Sequence, residues 1–155
     1  MSTFTETITL TNARDLGNAD DGIIPASKIR SITVEACVDT GAWFLVINEK
    51  TRADLGLEIT GSSEAVLADG STATYPVTEP VEFRWKDRKK SMEALVIGDA
   101  DEILFGALCM EALDLMADPV DECLKGRHGD KALYRVKSTR LRSLRRLHKR
   151  PAPRP

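Results

Sequence analysis

Apolar and polar positions alternate along several short stretches of this chain, and the period is two, which predicts half-buried strands. Residues 5–11 (TETITLT) and 28–38 (KIRSITVEACV) show it, the second with Ile29, Ile32, Val34, Ala36 and Val38 spaced largely by two. Residues 42–47 are a further apolar run of strand length, and Asn48 stands where it would cap a short helix over 49–57. Residues 63–67 and 72–77 flank Ala68-Asp69-Gly70-Ser71, and an Asp-Gly pair between strand-like runs is a strong hairpin signal. Residues 81–85 and 91–97 predict a second hairpin around the charged turn 86–90, and 132–136 predict a last strand. Residues 103–105 form a short apolar strand ending at Gly106. Behind it, 107–116 carry Leu108, Met110, Ala112, Leu113 and Leu115, a helical spacing that Asp118-Pro119 stops. Residues 12–25, with Gly17, Gly22, three Asp and a Pro, read as a loop. Many short strands with one good helix predict an all-β, barrel-like domain.

With 155 residues, one domain is the natural expectation. No apolar run approaches a membrane span, and the first fifteen residues lack a basic stretch followed by an apolar one. Three cysteines, Cys37, Cys109 and Cys123, have no metal-ligand spacing and read as small apolar side chains, reduced in a cytoplasm. His128 and His148 pair with no nucleophile pattern and read as solvated, while Trp43 and Trp85 read as core or groove-lining aromatics.

The net charge of −2 hides an asymmetry. Residues 1–124 carry 10 Lys and Arg against 23 Asp and Glu, a charge of −13; residues 125–155 carry 12 Lys and Arg against Asp130 alone, a charge of +11. The division expected is a folded domain over 1–137 and a basic tail over 138–155. Leu141, Leu144 and Leu147 lie close to one helical face of that tail, beside Arg142, Arg145 and Arg146. A solvated end, docking on the acidic body, or contact with nucleic acid or an anionic surface all fit it.

Three features then occur in order. An apolar strand delivers Cys37-Val38-Asp39-Thr40-Gly41-Ala42; a hairpin around Leu67-Ala68-Asp69-Gly70-Ser71 follows; Leu104-Phe105-Gly106-Ala107-Leu108 leads into the helix. In this ordered set the chain resembles the retropepsin-like aspartic proteases, in particular their short bacterial single-domain branch. The resemblance covers roughly residues 28–119. It implies a closed β-barrel-like fold with a glycine-tipped flap hairpin and one main α-helix. It also implies an aspartic endopeptidase that needs no metal or organic cofactor and acts as a homodimer on an extended peptide.

Hydrolysis of a peptide bond without a metal or covalent intermediate needs one group to take a proton from water and another to give one. Two carboxylates sharing a proton do both, because like charges ~3 Å apart cannot both ionise. With one Asp-Thr-Gly per chain, the resemblance implies that two copies of Asp39 meet on a two-fold axis. It assigns Thr40 to a hydrogen bond across the dimer and Gly41 to close passage of backbone and substrate. Ala42 and Trp43 would face substrate, Gly106 would let the Asp39 loop approach the strand before the helix, and Ala68, Asp69, Gly70 and Ser71 would form the flap. Retroviral members carry an Asp and an Arg where this chain has Trp43 and Ala107, which implies a more apolar site here. The rival reading is a non-catalytic dimeric peptide-binding module on the same fold.

Overall fold

The computed structural model describes residues 3–136. The chain runs β1 (Phe4–Asn12), α1 (Ala13–Asp20), β2 (Ser31–Val38), β3 (Leu45–Ile47), α2 (Glu49–Asp54), β4 (Ile59–Val66), β5 (Thr72–Thr78), β6 (Val81–Trp85), β7 (Arg88–Met92), β8 (Ala94–Val96), β9 (Ile103–Phe105), α3 (Ala107–Ala112), β10 (Leu115–Asp118) and β11 (Cys123–Gly126). Nine strands make one sheet in the order β4-β5-β8-β3-β9-β2-β1-β6-β7, and β10 pairs with β11 alone.

The alternation read in the sequence is what builds this sheet. β1 and β2 pair antiparallel in one unbroken register from Phe4↔Val38 to Thr11↔Ser31. Ile8, Leu10 and Phe83 turn into the core with Leu45, Ile47 and Phe105, while Thr7, Thr9 and Thr33 face outward. Removing these apolar side chains from water stabilises the sheet by about 1.5–3 kcal/mol for each large one. Phe83 meets Phe105 edge to face at 5.8 Å between ring centroids.

Several expectations are corrected. The sheet is open: β4 and β7 are its two edges, and no strand pairing joins them among the described residues. Lys89 and Lys90 are exposed on β7, and charge of that kind discourages a further strand. There are three short α-helices among the described residues, and α3 stops at Ala112, well before residue 116. Asp114 takes a left-handed φ of 54°, and the buried Arg88 guanidinium draws the Leu113 and Asp114 carbonyls at 2.9 and 2.7 Å. Residues 12–20 hold a helix, not a loop, because the Asn12 side chain accepts from the Asp15 N–H at 3.1 Å and caps it.

The second hairpin turns at Lys86-Asp87, with Lys86 at φ 52°, so Arg88 already belongs to a strand and residues 94–96 join β3 and β5 instead. Residues 132–136 form no strand; the Leu133 N–H donates to Asp114 Oδ2 at 3.0 Å and the Tyr134 hydroxyl to the Ala112 carbonyl at 2.6 Å. The helix expected behind Asn48 is present as α2, with Asn48 Oδ1 accepting from the Thr51 N–H at 2.9 Å. The basic tail, with Leu141, Leu144, Leu147 and His148, lies outside the described residues. No helix among the described residues is long and apolar enough to cross a membrane.

Candidate active site

β9 lies between β2 and β3. It pairs parallel with β2 (Cys37↔Leu104, Val38↔Phe105) and antiparallel with β3 (Leu45↔Phe105). The chain leaving β2 must therefore cross the end of β9 to reach β3, and residues 39–44 make that crossing. Asp39 stands at its start, half-buried, with its N–H on the Phe105 carbonyl at 3.2 Å.

Gly106 lies beneath the crossing. A Cβ there would fall 2.4 Å from the Phe44 oxygen and 2.8 Å from the Ala42 oxygen, both backbone atoms. Real Cβ atoms do not approach so closely, so the loop needs glycine at 106. The first N–H groups of a helix need outside acceptors. In α3 the loop supplies them: Ala107 N–H donates to the Ala42 carbonyl at 2.8 Å and Leu108 N–H to the Trp43 carbonyl at 3.0 Å. The turn itself is closed by Ala42 N–H on the Asp39 carbonyl at 3.3 Å, and Asp39 Oδ1 accepts from the Gly41 N–H at 2.8 Å. The carboxylate is thus held by backbone that is fixed from both sides.

Asp39, Thr40, Gly41, Ala42, Trp43 and Gly106 are brought into one crossing. Trp43 is 69% exposed, although its carbonyl is pinned on α3, so a rigid backbone holds a large aromatic in solvent. Trp85 is buried, its Nε1 donating to Glu6 Oε2 at 3.2 Å. The hairpin of Ala68, Asp69, Gly70 and Ser71 is a separate, exposed feature. Asp69 Oδ1 accepts from the Ser71 hydroxyl and N–H at 2.6 and 2.9 Å, which hold the Asp69 carboxyl below its ordinary range, and Gly70 has φ 83°. No hydrogen bond ties this loop to the Asp39 crossing.

A cavity of about 250 Å³ opens beside the carboxylate, lined by Phe4, Val38, Asp39, Thr40, Ala117 and Pro119 among others. Phe4, Ala117 and Pro119 were not singled out by sequence reasoning. The Phe4↔Val38 register that brings β1 here is the signal that could have found the first; nothing local marks the other two. Cys37 is buried next to the site, where burial foremost, and then Glu102, pushes its thiol up. No group of His, Cys, Asp and Glu among the described residues could hold a metal ion.

His128 departs from the solvated reading: Nδ1 lies 2.7 Å from Asp114 Oδ1. Burial raises the Asp114 carboxyl, but the Leu133 N–H, His128 and Arg88 together outweigh it and hold the group below its ordinary range.

A carboxylate at a glycine-supported strand crossing defines a class of hydrolytic site. The sequence matches the aspartyl protease family model over residues 26–111, more than half of the chain, and the protein belongs to that family. Two solved structures are similar to it. EIAV protease, in complex with an inhibitor, aligns with a TM-score of 0.48 at 16% identity over 72% of this chain and 88% of that one. A retropepsin-like aspartic protease from Rickettsia conorii aligns with a TM-score of 0.39 at 18% identity over 72% and 82%. Among curated proteins none matches.

Proposed function

We propose that this protein is an aspartic endopeptidase whose active centre is built from Asp39 of two copies. The observation that carries the reading is the crossing over Gly106, which fixes a half-buried carboxylate at the tip of a core strand. One such carboxylate per chain cannot act as acid and base together, so a second copy completes the pair. The ionised partner takes a proton from water while the protonated one donates to the scissile carbonyl oxygen, and the roles then exchange as the amine leaves.

Thr40 locks the paired loops, Gly41 and Ala42 leave room for the substrate backbone, and Trp43 offers an apolar contact. The hairpin over 67–71 closes on an extended peptide and excludes water. Residues 1–137 form the catalytic domain and 138–155 a basic extension.

The experiment is a subunit-mixing titration. Asp39→Asn protein added in excess to wild type should lower its activity, because mixed dimers carry one carboxylate. Wild-type activity that is indifferent to the added variant, under conditions where exchange is shown, rules out a shared centre.

A further inference from the structure

The turn between β10 and β11 presents one apolar side chain with nothing around it. Val120 is 87% exposed. The turn that carries it is firmly built. Asp118 Oδ1 accepts from the Val120 and Asp121 N–H groups at 2.9 and 3.1 Å. Lys125 Nζ bridges Asp118 Oδ2 at 2.6 Å and Asp121 Oδ2 at 2.5 Å. Pro119 fixes its own φ, and Glu122 at φ 48° closes the turn. A side chain on such a turn loses little further freedom when it is covered.

Pro119, the residue next to Val120, lines the cavity that also holds Asp39. The other walls include Phe4, Val38 and Ala117, so much of the cavity is apolar, and it opens beside the carboxylate. A two-fold axis that brings two Asp39 side chains together must bring the two cavity mouths together as well. Whatever projects at the rim of one copy then faces the cavity of the other.

We propose that the turn at Val120 is a dimer clasp: Val120 of each copy seats in the Phe4–Ala117–Pro119 cavity of its partner. The occupant is a second copy of this chain, and the contact is isologous, made twice around the axis. The inference rests on the shared-Asp39 reading for the position of the axis. The ion pairs at the turn leave Asp118 and Asp121 matched by Lys125, so two turns can approach with little repulsion from these carboxylates. The cavity also touches Asp39 and Thr40, so filling it excludes water from one side of the catalytic pair.

The test compares wild type, Val120→Asp and Val120→Ala by sedimentation equilibrium and by specific activity over a dilution series. Val120→Asp should raise the dimer dissociation constant about tenfold or more, as loss of a central apolar anchor does. Its activity should fall at low concentration and recover at high concentration, since Val120 touches no substrate. Val120→Ala should shift in the same direction by less, and it serves if the Asp variant fails to fold. Dissociation constants equal to wild type in the folded variants overturn the clasp. If that result comes while Asp39→Asn is inactive and poisons wild type, the shared centre stands without the clasp. A wild type that is monomeric at every concentration contradicts both.

Discussion

Gly106 and Phe44 are in contact through backbone alone: a Cβ on the glycine would lie 2.4 Å from the Phe44 carbonyl oxygen. That contact is where the strand before α3 supports the Asp39 loop. Gly106→Ala should push the loop away from β9 and disturb the Ala107 and Leu108 hydrogen bonds that anchor it. Overpacking of this kind costs about 1–3 kcal/mol or more. Urea unfolding should show that loss, and peptidase activity should fall further than the fraction folded.

Arg88 ties three carbonyls together inside the protein, those of Leu113, Asp114 and, at 2.5 Å, Gly129. Arg88→Met leaves these acceptors and the Asp114 carboxylate short of a donor. Breaking a buried charged contact costs on the order of 3 kcal/mol. Arg88→Lys should rescue little, because one ammonium cannot reproduce the planar fork. Denaturation midpoints of the two variants check this.

Stability should fall in acid through identified carboxyls. Lys125 and the Asp121 and Val120 N–H groups hold the Asp118 carboxyl down at about 2, and the Arg30 guanidinium holds Asp15 below its ordinary 3.8. A group whose folded value is depressed stabilises the protein above its unfolded value and loses that contribution as pH falls through the folded one. The contribution of Asp118 is therefore complete above about pH 4 and fades toward pH 2. Asp118→Asn should flatten the stability curve in that window and leave its slope near neutral pH unchanged.

The three thiols should differ in reactivity. Burial pushes Cys109 up to about 12, and Cys37 is also buried, whereas Cys123 is partly exposed. A thiolate-selective reagent should label one thiol per folded chain quickly and the other two only on unfolding. Fast labelling of all three in the native protein would contradict the packing around Cys37 and Cys109.

Much of this site was legible in the sequence because its elements are local. The strand into Asp39, the Asn48 cap and the strand into Gly106 each follow from neighbouring residues. What the sequence obscured is tertiary. Gly17, Gly22 and the Asp residues suggested a loop where Asn12 caps α1, and that buried Asn12 also donates to the Leu55 carbonyl at 2.9 Å. The helix after Gly106 reads as long from its leucines but ends early because Arg88, from another strand, takes its last carbonyls. Closure into a barrel depends on where the edges β4 and β7 meet other chain, which no periodicity encodes.

The central claim is that Asp39 carries peptide hydrolysis. A peptide-library digest of wild type beside Asp39→Asn, with both shown to be folded dimers, tests it most directly. Wild type should cleave internal bonds with a bell-shaped dependence on pH, and Asp39→Asn should cleave none. Cleavage by Asp39→Asn at the wild-type rate would contradict the account.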